Sequence, residues 1–224
     1  MKIIAVLQAR TSSTRLPGKV MKEINGKPMI YWQILRILKS TKITDLIVAT
    51  STEDSDDALV DFLDNMNIAF YRGSLSNVLS RYEEISVNLK PAAIVRLTAD
   101  CPLVMPKILD AVVTEFSKSQ NDYVSNTLVR TFADGLDVEV FSSQALSKLR
   151  RFTLSKPEEE HVTLGMYSRP KDFTLWNVRN DREEGHLRWT VDDQSDFDMV
   201  QRVYAHFKGK ELSFDLDDLR DYFR

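Results

Sequence analysis

Arg10, Arg15 and Lys19 fall within one short segment, Gln8-Ala-Arg-Thr-Ser-Ser-Thr-Arg-Leu-Pro-Gly-Lys19, directly after the apolar run Ile3-Ile4-Ala5-Val6-Leu7. Fixed cations, hydroxyl donors such as Ser12 and Ser13, and backbone N–H groups at a strand end are what a polyphosphate needs. The pattern is not a Walker loop, because Gly18-Lys19 is followed by Val20 and position 13 is not glycine. It is not the dinucleotide fingerprint either, since Gly18 is the only glycine in the segment. Side chains, more than a glycine cradle, must neutralise the anion; on charge alone, an ordinary basic surface loop is the alternative.

Two carboxylates are candidates to face that loop. Asp100 lies just past the apolar run in Ile94-Val-Arg-Leu-Thr-Ala-Asp-Cys-Pro102, and Asp192 ends Arg188-Trp-Thr-Val-Asp192 in the same manner. Ligands of open parallel sheets bind beyond the carboxyl ends of strands, so both can meet a phosphate there. A carboxylate pair beside a nucleotide phosphate suits Mg²⁺, while either residue alone can equally be a turn former or helix cap. A third cluster, Arg130 to Glu139, offers Asp134, Asp137 and Glu139 as acceptors for sugar hydroxyls; its plainer reading is a half-exposed strand. His161, next to Glu160, suggests a general base or substrate contact, although a lone helical histidine more often packs or hydrogen-bonds. Cys101 has no basic neighbour that would make it a nucleophile.

These residues need a scaffold, and the first half of the chain supplies its signature. Apolar runs at Lys2 to Leu7, Asp45 to Thr50, Ile68 to Tyr71 and Ala92 to Leu97 alternate with helical patterns, as in parallel strands joined by crossover helices. Gly26-Lys-Pro28 opens the first helix, with Ile30, Ile34, Ile37 and Leu38 on its buried face; Ser55 and Asn77 are expected caps for the next two. A fourth helix starts near Pro106. After Tyr123 the rhythm changes. Strands are expected at Tyr123 to Ser125, Leu136 to Phe141 and Phe173 to Val178, with a helix at Glu158 to Met166, all of which reads as an insertion. Leu187 to Val191 reads as the last strand of the main sheet, before an amphipathic helix marked by Phe197, Val200, Val203, Tyr204 and Phe207.

The bulk numbers narrow the function classes. At 224 residues, 43% apolar and 28% charged, the chain has the composition of a soluble globular protein, and its length suits one main domain with a smaller appendage. Thirty basic and thirty-three acidic residues give a net charge of −3, so no general attraction to nucleic acid or anionic membrane is expected. No run approaches the roughly 18 apolar residues of a membrane span. The single cysteine and the lack of a signal-peptide pattern make a cytoplasmic location the default expectation.

Together, Gln8-Ala-Arg to Gly18-Lys19, Thr98-Ala-Asp-Cys-Pro-Leu103, Tyr123-Val-Ser-Asn-Thr127, Asp134-Gly-Leu-Asp-Val-Glu139, Glu160-His-Val-Thr163 and Arg188-Trp-Thr-Val-Asp192 resemble the cytidylyltransferase family. The match is nearest to its spore coat polysaccharide biosynthesis protein F group. The resemblance implies a three-layer α/β/α nucleotide-diphospho-sugar transferase fold, Rossmann-like, as one domain over residues 1–224. A small inserted region, about residues 124–186, would serve substrate binding and homodimerisation. It also implies transfer of CMP from CTP to the hydroxyl of a sugar, with pyrophosphate released, in polysaccharide biosynthesis. Arg10, Arg15 and Lys19 would hold the triphosphate, Leu7, Gln8 and Ala9 would face the nucleoside through their backbone, and Thr98 would lie near the base. Asp100 and Asp192 match the positions that carry Mg²⁺. Glu159 stands where many relatives have arginine, and Ser12 where they often have glycine. The competing functions are a glycosyltransferase of related architecture with a nucleotide-sugar donor, and a non-catalytic nucleotide-binding partner.

Overall fold

Strict alternation in the first strand sets up both faces of the sheet. In β1 (Ile3–Gln8), Ile3, Ala5 and Leu7 join one apolar cluster while Ile4 and Val6 join another. A strand buried on both faces belongs in the middle of a layered α/β structure. The computed structural model describes residues 1–224 and bears this out.

After β1 come a small hairpin of β2 (Glu23–Ile24) and β3 (Lys27–Pro28), then α1 (Met29–Ile37), β4 (Asp45–Ser51), α2 (Asp57–Asn65) and β5 (Phe70–Gly73). The chain continues through α3 (Val78–Leu89), β6 (Ala93–Thr98), α4 (Pro106–Lys118), β7 (Tyr123–Ser125) and β8 (Glu139–Ser142). Its last part holds α5 (Ser143–Leu149), α6 (Lys156–Glu160), α7 (Leu164–Tyr167), β9 (Leu175–Asn177), α8 (Gln194–His206) and α9 (Leu216–Tyr222).

Seven strands form one sheet in the order β5-β4-β1-β6-β8-β7-β9. The first four are mutually parallel, which places the ends of β1 and β6 side by side, with Gln8 opposite Thr98. Strand β8 joins β6 antiparallel, so the segment read as an insertion extends the main sheet through β8, β7 and β9. Helices α1, α2, α4, α8 and α9 cover one face of the sheet, and α3, α5 and α7 cover the other. This is the expected three-layer α/β/α sandwich.

Several local expectations need correction. Leu38 does not share the buried face of α1 and is 47% exposed. Ser55 does not cap a helix; Asp54–Asp56 form a short 3₁₀ turn before α2. Asn77 does cap α3, accepting from Ser80 N at 2.9 Å. The helix expected at Glu158 to Met166 is two short helices, α6 and α7, split where Val162 takes a positive φ of 46°. Leu187 to Val191 is not a strand of the sheet. Its backbone bonds to isolated residues instead: Trp189 N donates to Asp134 O at 2.6 Å and Val191 N to Asp100 O at 2.7 Å.

Candidate active site

The basic loop is pinned at both ends. Ala9 N donates to Ala49 O of β4 at 3.1 Å, and Gly18 N returns to Thr11 O at 2.8 Å. Gly18 sits at φ 70°, a conformation glycine adopts without steric cost. Thr11 is anchored to Asp56, whose Oδ1 accepts from Thr11 N and Thr11 Oγ1, both at 2.7 Å. Asp56 Oδ2 accepts from Thr50 Oγ1, Ser51 N and Ser51 Oγ. Burial alone would raise this carboxyl, but the hydrogen bonds from Ser51, Thr11 and Thr50 prevail and hold it below the usual carboxylate range. An ionised, saturated Asp56 thus fixes the start of the loop.

Lys19 leaves the far end of the loop and is nearly buried. Its Nζ donates to Val191 O at 2.6 Å, lies 3.4 Å from Asp192 Oδ1 and reaches 4.0 Å from Asp100 Oδ2. The two candidate metal ligands, distant in sequence, therefore converge on one ammonium group. Asp192 is held further by Arg15 at 2.8 Å on Oδ1 and by Arg188 at 2.8 Å on Oδ2. Burial opposes its charge, but Arg188, Lys19 and Arg15 outweigh burial and keep its carboxyl below the usual range. Asp100 contacts no arginine; its Oδ1 accepts only a weak contact from Cys101 Sγ at 3.4 Å. Burial and Asp100 push the Cys101 thiol well above its ordinary value, which rules against a nucleophilic thiolate.

Asp100 and Asp192 fit a magnesium site of the kind that phosphate completes. Mg²⁺ commonly takes one or two carboxylates and fills its other positions with water and substrate phosphate. Both carboxylates address one point beside the cationic loop, and no cluster of three or more His, Cys, Asp or Glu residues forms an all-protein cage. The donor set matches that mode.

The cleft above the strand ends has a volume of about 310 Å³. Gln8, Ala9, Arg10, Ser13, Arg15, Lys19, Thr98, Asp100 and Asp192 all line it. Two expected contacts do not. Leu7 is fully buried and paired with Val48 and Leu97 in the ladder, so it supports the cleft from below. Ser12 is exposed and turned away, because the turn that bonds Ser13 N to Thr11 O places Ser13 on the inner side. Arg10 makes no hydrogen bond or ion pair within the protein, in contrast to Arg15.

A second cavity of about 360 Å³ adjoins the first. Arg96 and His161 line both. Arg96 projects from β6 directly opposite Glu139 on β8, and the two form an ion pair on the same sheet face as Tyr123. Glu139 Oε1 also accepts from Tyr123 and from Thr163, each at 2.6 Å. Burial would raise the Glu139 carboxyl, but Arg96 and these hydroxyls hold it below its ordinary value. Glu139 is therefore the centre of a buried network, and with Asp137 it still lines the second cavity.

The other two acidic candidates are also committed. Arg130 grips Asp137 with two parallel bonds of 2.8 and 2.9 Å. Burial still pushes the Asp137 carboxyl above its ordinary value. Asp134 lies outside the lining of both cavities, between Arg130 at 3.3 Å and Arg188 at 3.1 Å. It pairs with Arg188, which in turn pairs with Asp192. The neighbouring Gly135 has φ 108°, and a Cβ there would meet Thr190 N and Trp189 C at 2.6 Å. Gly135→Ala is accordingly expected to cost about 2–3 kcal/mol and to displace the segment carrying Asp192. Urea unfolding measures it; an unchanged midpoint would show that the segment yields freely.

Three contributors escaped the sequence reading. Asp56 looked like one of several surface acids between Glu53 and Asp57. Arg81 and Arg96 carried a signal: each interrupts an apolar pattern, Arg81 among Val78, Tyr82 and Ile85, and Arg96 within β6. Arg81 is buried at the cleft wall, where Nε donates to Ser74 O at 2.8 Å and no carboxylate pairs with it. Burial lowers its pKa, yet it remains a fixed cation.

A cation-lined loop at the end of a parallel strand, facing paired aspartates on a three-layer α/β/α sandwich, defines a nucleotidyltransferase site. The chain belongs to the cytidylyltransferase family, whose model matches residues 4–214. It is 29% identical over 209 residues to the spore coat polysaccharide biosynthesis protein SpsF of Bacillus subtilis, covering 90% of this chain and 86% of that protein. It is 28% identical over 198 residues to 3-deoxy-manno-octulosonate cytidylyltransferase of Geobacter metallireducens, covering 78% and 77%. Among solved structures, a cytidylyltransferase from Leptospira borgpetersenii superposes with a TM-score of 0.94 at 30% identity, covering 100% of this chain and 94% of that one. No helix is long and apolar enough to cross a membrane.

Proposed function

We propose that the protein transfers the cytidylyl group of CTP to a hydroxyl of an acidic sugar, of the octulosonic or nonulosonic kind, for surface polysaccharide synthesis. The observation that carries this reading is the convergence of Asp100 and Asp192 on Lys19 at the mouth of a cleft lined by Arg10 and Arg15. Family membership and the octulosonate-activating relative support the substrate class. In this reading the protein works in the cytoplasm as a homodimer, in which residues of about 124–186 meet a second copy. Nucleic acid and membrane have no part in it.

The chemistry requires positioning and charge neutralisation more than covalent catalysis. The sugar oxygen attacks the α-phosphorus, the bond from that phosphorus to the bridging oxygen of the β-phosphate breaks, and pyrophosphate leaves with the electron pair. Arg10, Arg15 and Lys19 hold the leaving group as its charge grows. Asp100 and Asp192 would hold Mg²⁺, which supplies charge neutralisation at the reacting phosphate. Arg188 and Asp134 keep Asp192 aimed, and Asp56 keeps the loop in register.

The test is pyrophosphate release with CTP and Mg²⁺ against a panel including 3-deoxy-manno-octulosonic and N-acetylneuraminic acids. Turnover with CTP and at least one acid is expected, with UTP much weaker. Silence with every sugar and every nucleotide would end the reading.

A further inference from the structure

We infer that His161 is the catalytic base that takes the proton from the attacking sugar hydroxyl. The inference rests on the CTP-dependent reading above. Its first support is position. With CTP in the first cleft and the acceptor in the adjoining second cavity, the attacking oxygen stands where the two join. Only Arg96 and His161 line both cavities. Arg96 carries a permanent charge and cannot take up a proton. His161 can.

Its second support is availability. The imidazole is exposed and makes no hydrogen bond or ion pair with the protein, contrary to the packing role expected of a lone helical histidine. Of the other proton acceptors nearby, Glu139 is engaged by Arg96, Tyr123 and Thr163, Asp137 by Arg130, and Asp192 by Arg15, Lys19 and Arg188, while Glu160 is unpaired but lines the nucleotide cleft alone and not the second cavity. Asp100 would be taken up by the metal.

Its third support is how the backbone presents the ring. His161 ends α6, and the next residue, Val162, is fully buried at φ 46°. A β-branched residue in the left-handed region is strained, and such strain persists only where surrounding contacts over-determine it. Here burial of Val162 and the bond from Thr163 to Glu139 hold the turn. Through Glu139 the same bond ties it to Arg96, the other residue at the junction. The backbone is thus fixed so that the histidine faces the gap while Val162 and Thr163, which follow it, are buried.

In the step, the sugar hydroxyl gives its proton to an imidazole nitrogen as its oxygen bonds to the α-phosphorus and pyrophosphate departs. The imidazolium then returns the proton to solvent. The test follows pyrophosphate release from CTP, Mg²⁺ and 3-deoxy-manno-octulosonic or N-acetylneuraminic acid in wild type, His161→Gln and His161→Ala. Both variants should lose about 10²- to 10⁴-fold in kcat, with the KM for CTP within about threefold, and added imidazole should restore a large part of the His161→Ala rate. A kcat within about threefold of wild type, or a loss that imidazole does not relieve, overturns the assignment. A wild type silent with both acids removes the reading beneath it, which is a distinct outcome.

Discussion

Under the proposed function, Asp100→Asn is expected to lower kcat by about 10²- to 10³-fold, because it would remove the carboxylate best placed to hold Mg²⁺ beside the reacting phosphate. Asp192 shares its oxygens with Arg15, Lys19 and Arg188, whereas Asp100 faces Lys19 alone at 4.0 Å. Asparagine keeps the shape of the side chain. It also keeps the backbone carbonyl that receives Val191 N and Thr190 Oγ1, at 2.7 and 3.1 Å, so the fold should persist. The check is kcat as a function of Mg²⁺ concentration, with thermal unfolding as the control. An Asn variant within about tenfold of wild type at saturating Mg²⁺ would exclude Asp100 from the metal site.

Glu139→Ala should be the most destabilising single change near the site, costing about 3–5 kcal/mol, the range for removing one partner of a buried ion pair. Arg96 and Glu139 are 13% and 9% exposed at their side chains, so solvent screens them little. The loss leaves Arg96 with an uncompensated charge and strands the hydroxyls of Tyr123 and Thr163. For a chain of this size that is roughly a 6–20 °C fall in the unfolding midpoint. The double variant Arg96→Met with Glu139→Leu should be milder than Glu139→Ala, since no charge is left buried. If the single change costs under about 1 kcal/mol, the pair is not what holds β6 to β8. The pH dependence follows the same pair. The Glu139 carboxyl is held below its ordinary 4.5, so its contribution is complete at neutral pH and fades only as pH falls below that value.

The parallel half of the fold was legible because its code is local. Strands β1, β4 and β6 are buried on both faces, so apolar runs marked them, and the Asn77 cap follows from one side chain and one turn. Leu187 to Val191 misled because alternation reports burial and not ladder pairing. Trp189 and Val191 are indeed inside, but their N–H groups go to Asp134 and Asp100. The break at Val162 had no glycine or proline to announce it.

The same distinction applies to the site. Arg10, Arg15, Lys19, Asp100 and Asp192 could be read because charge clustered beside strand ends, and all five line the cleft. Asp134 and Glu139 were legible as acids but not as ion-pair partners of Arg188 and Arg96, which reach them only through tertiary pairing; Arg130, in the same segment, meets Asp134 and Asp137 locally. The second cavity, and the junction at which the histidine stands, exist only once β8 has joined β6.

The hydrogen bonds that hang Val191 on Asp100 and on Lys19 also set an order of events in the life of the chain. Synthesis delivers the basic loop and Asp100 well before Asp192, while the core that supports them draws on α8 and α9 as well, so the domain folds as a unit. Until the Val191–Asp192 segment docks, the cleft lacks its second carboxylate and Lys19 lacks its carbonyl anchor. Competence for chemistry arrives late and all at once, when the final third of the polypeptide docks.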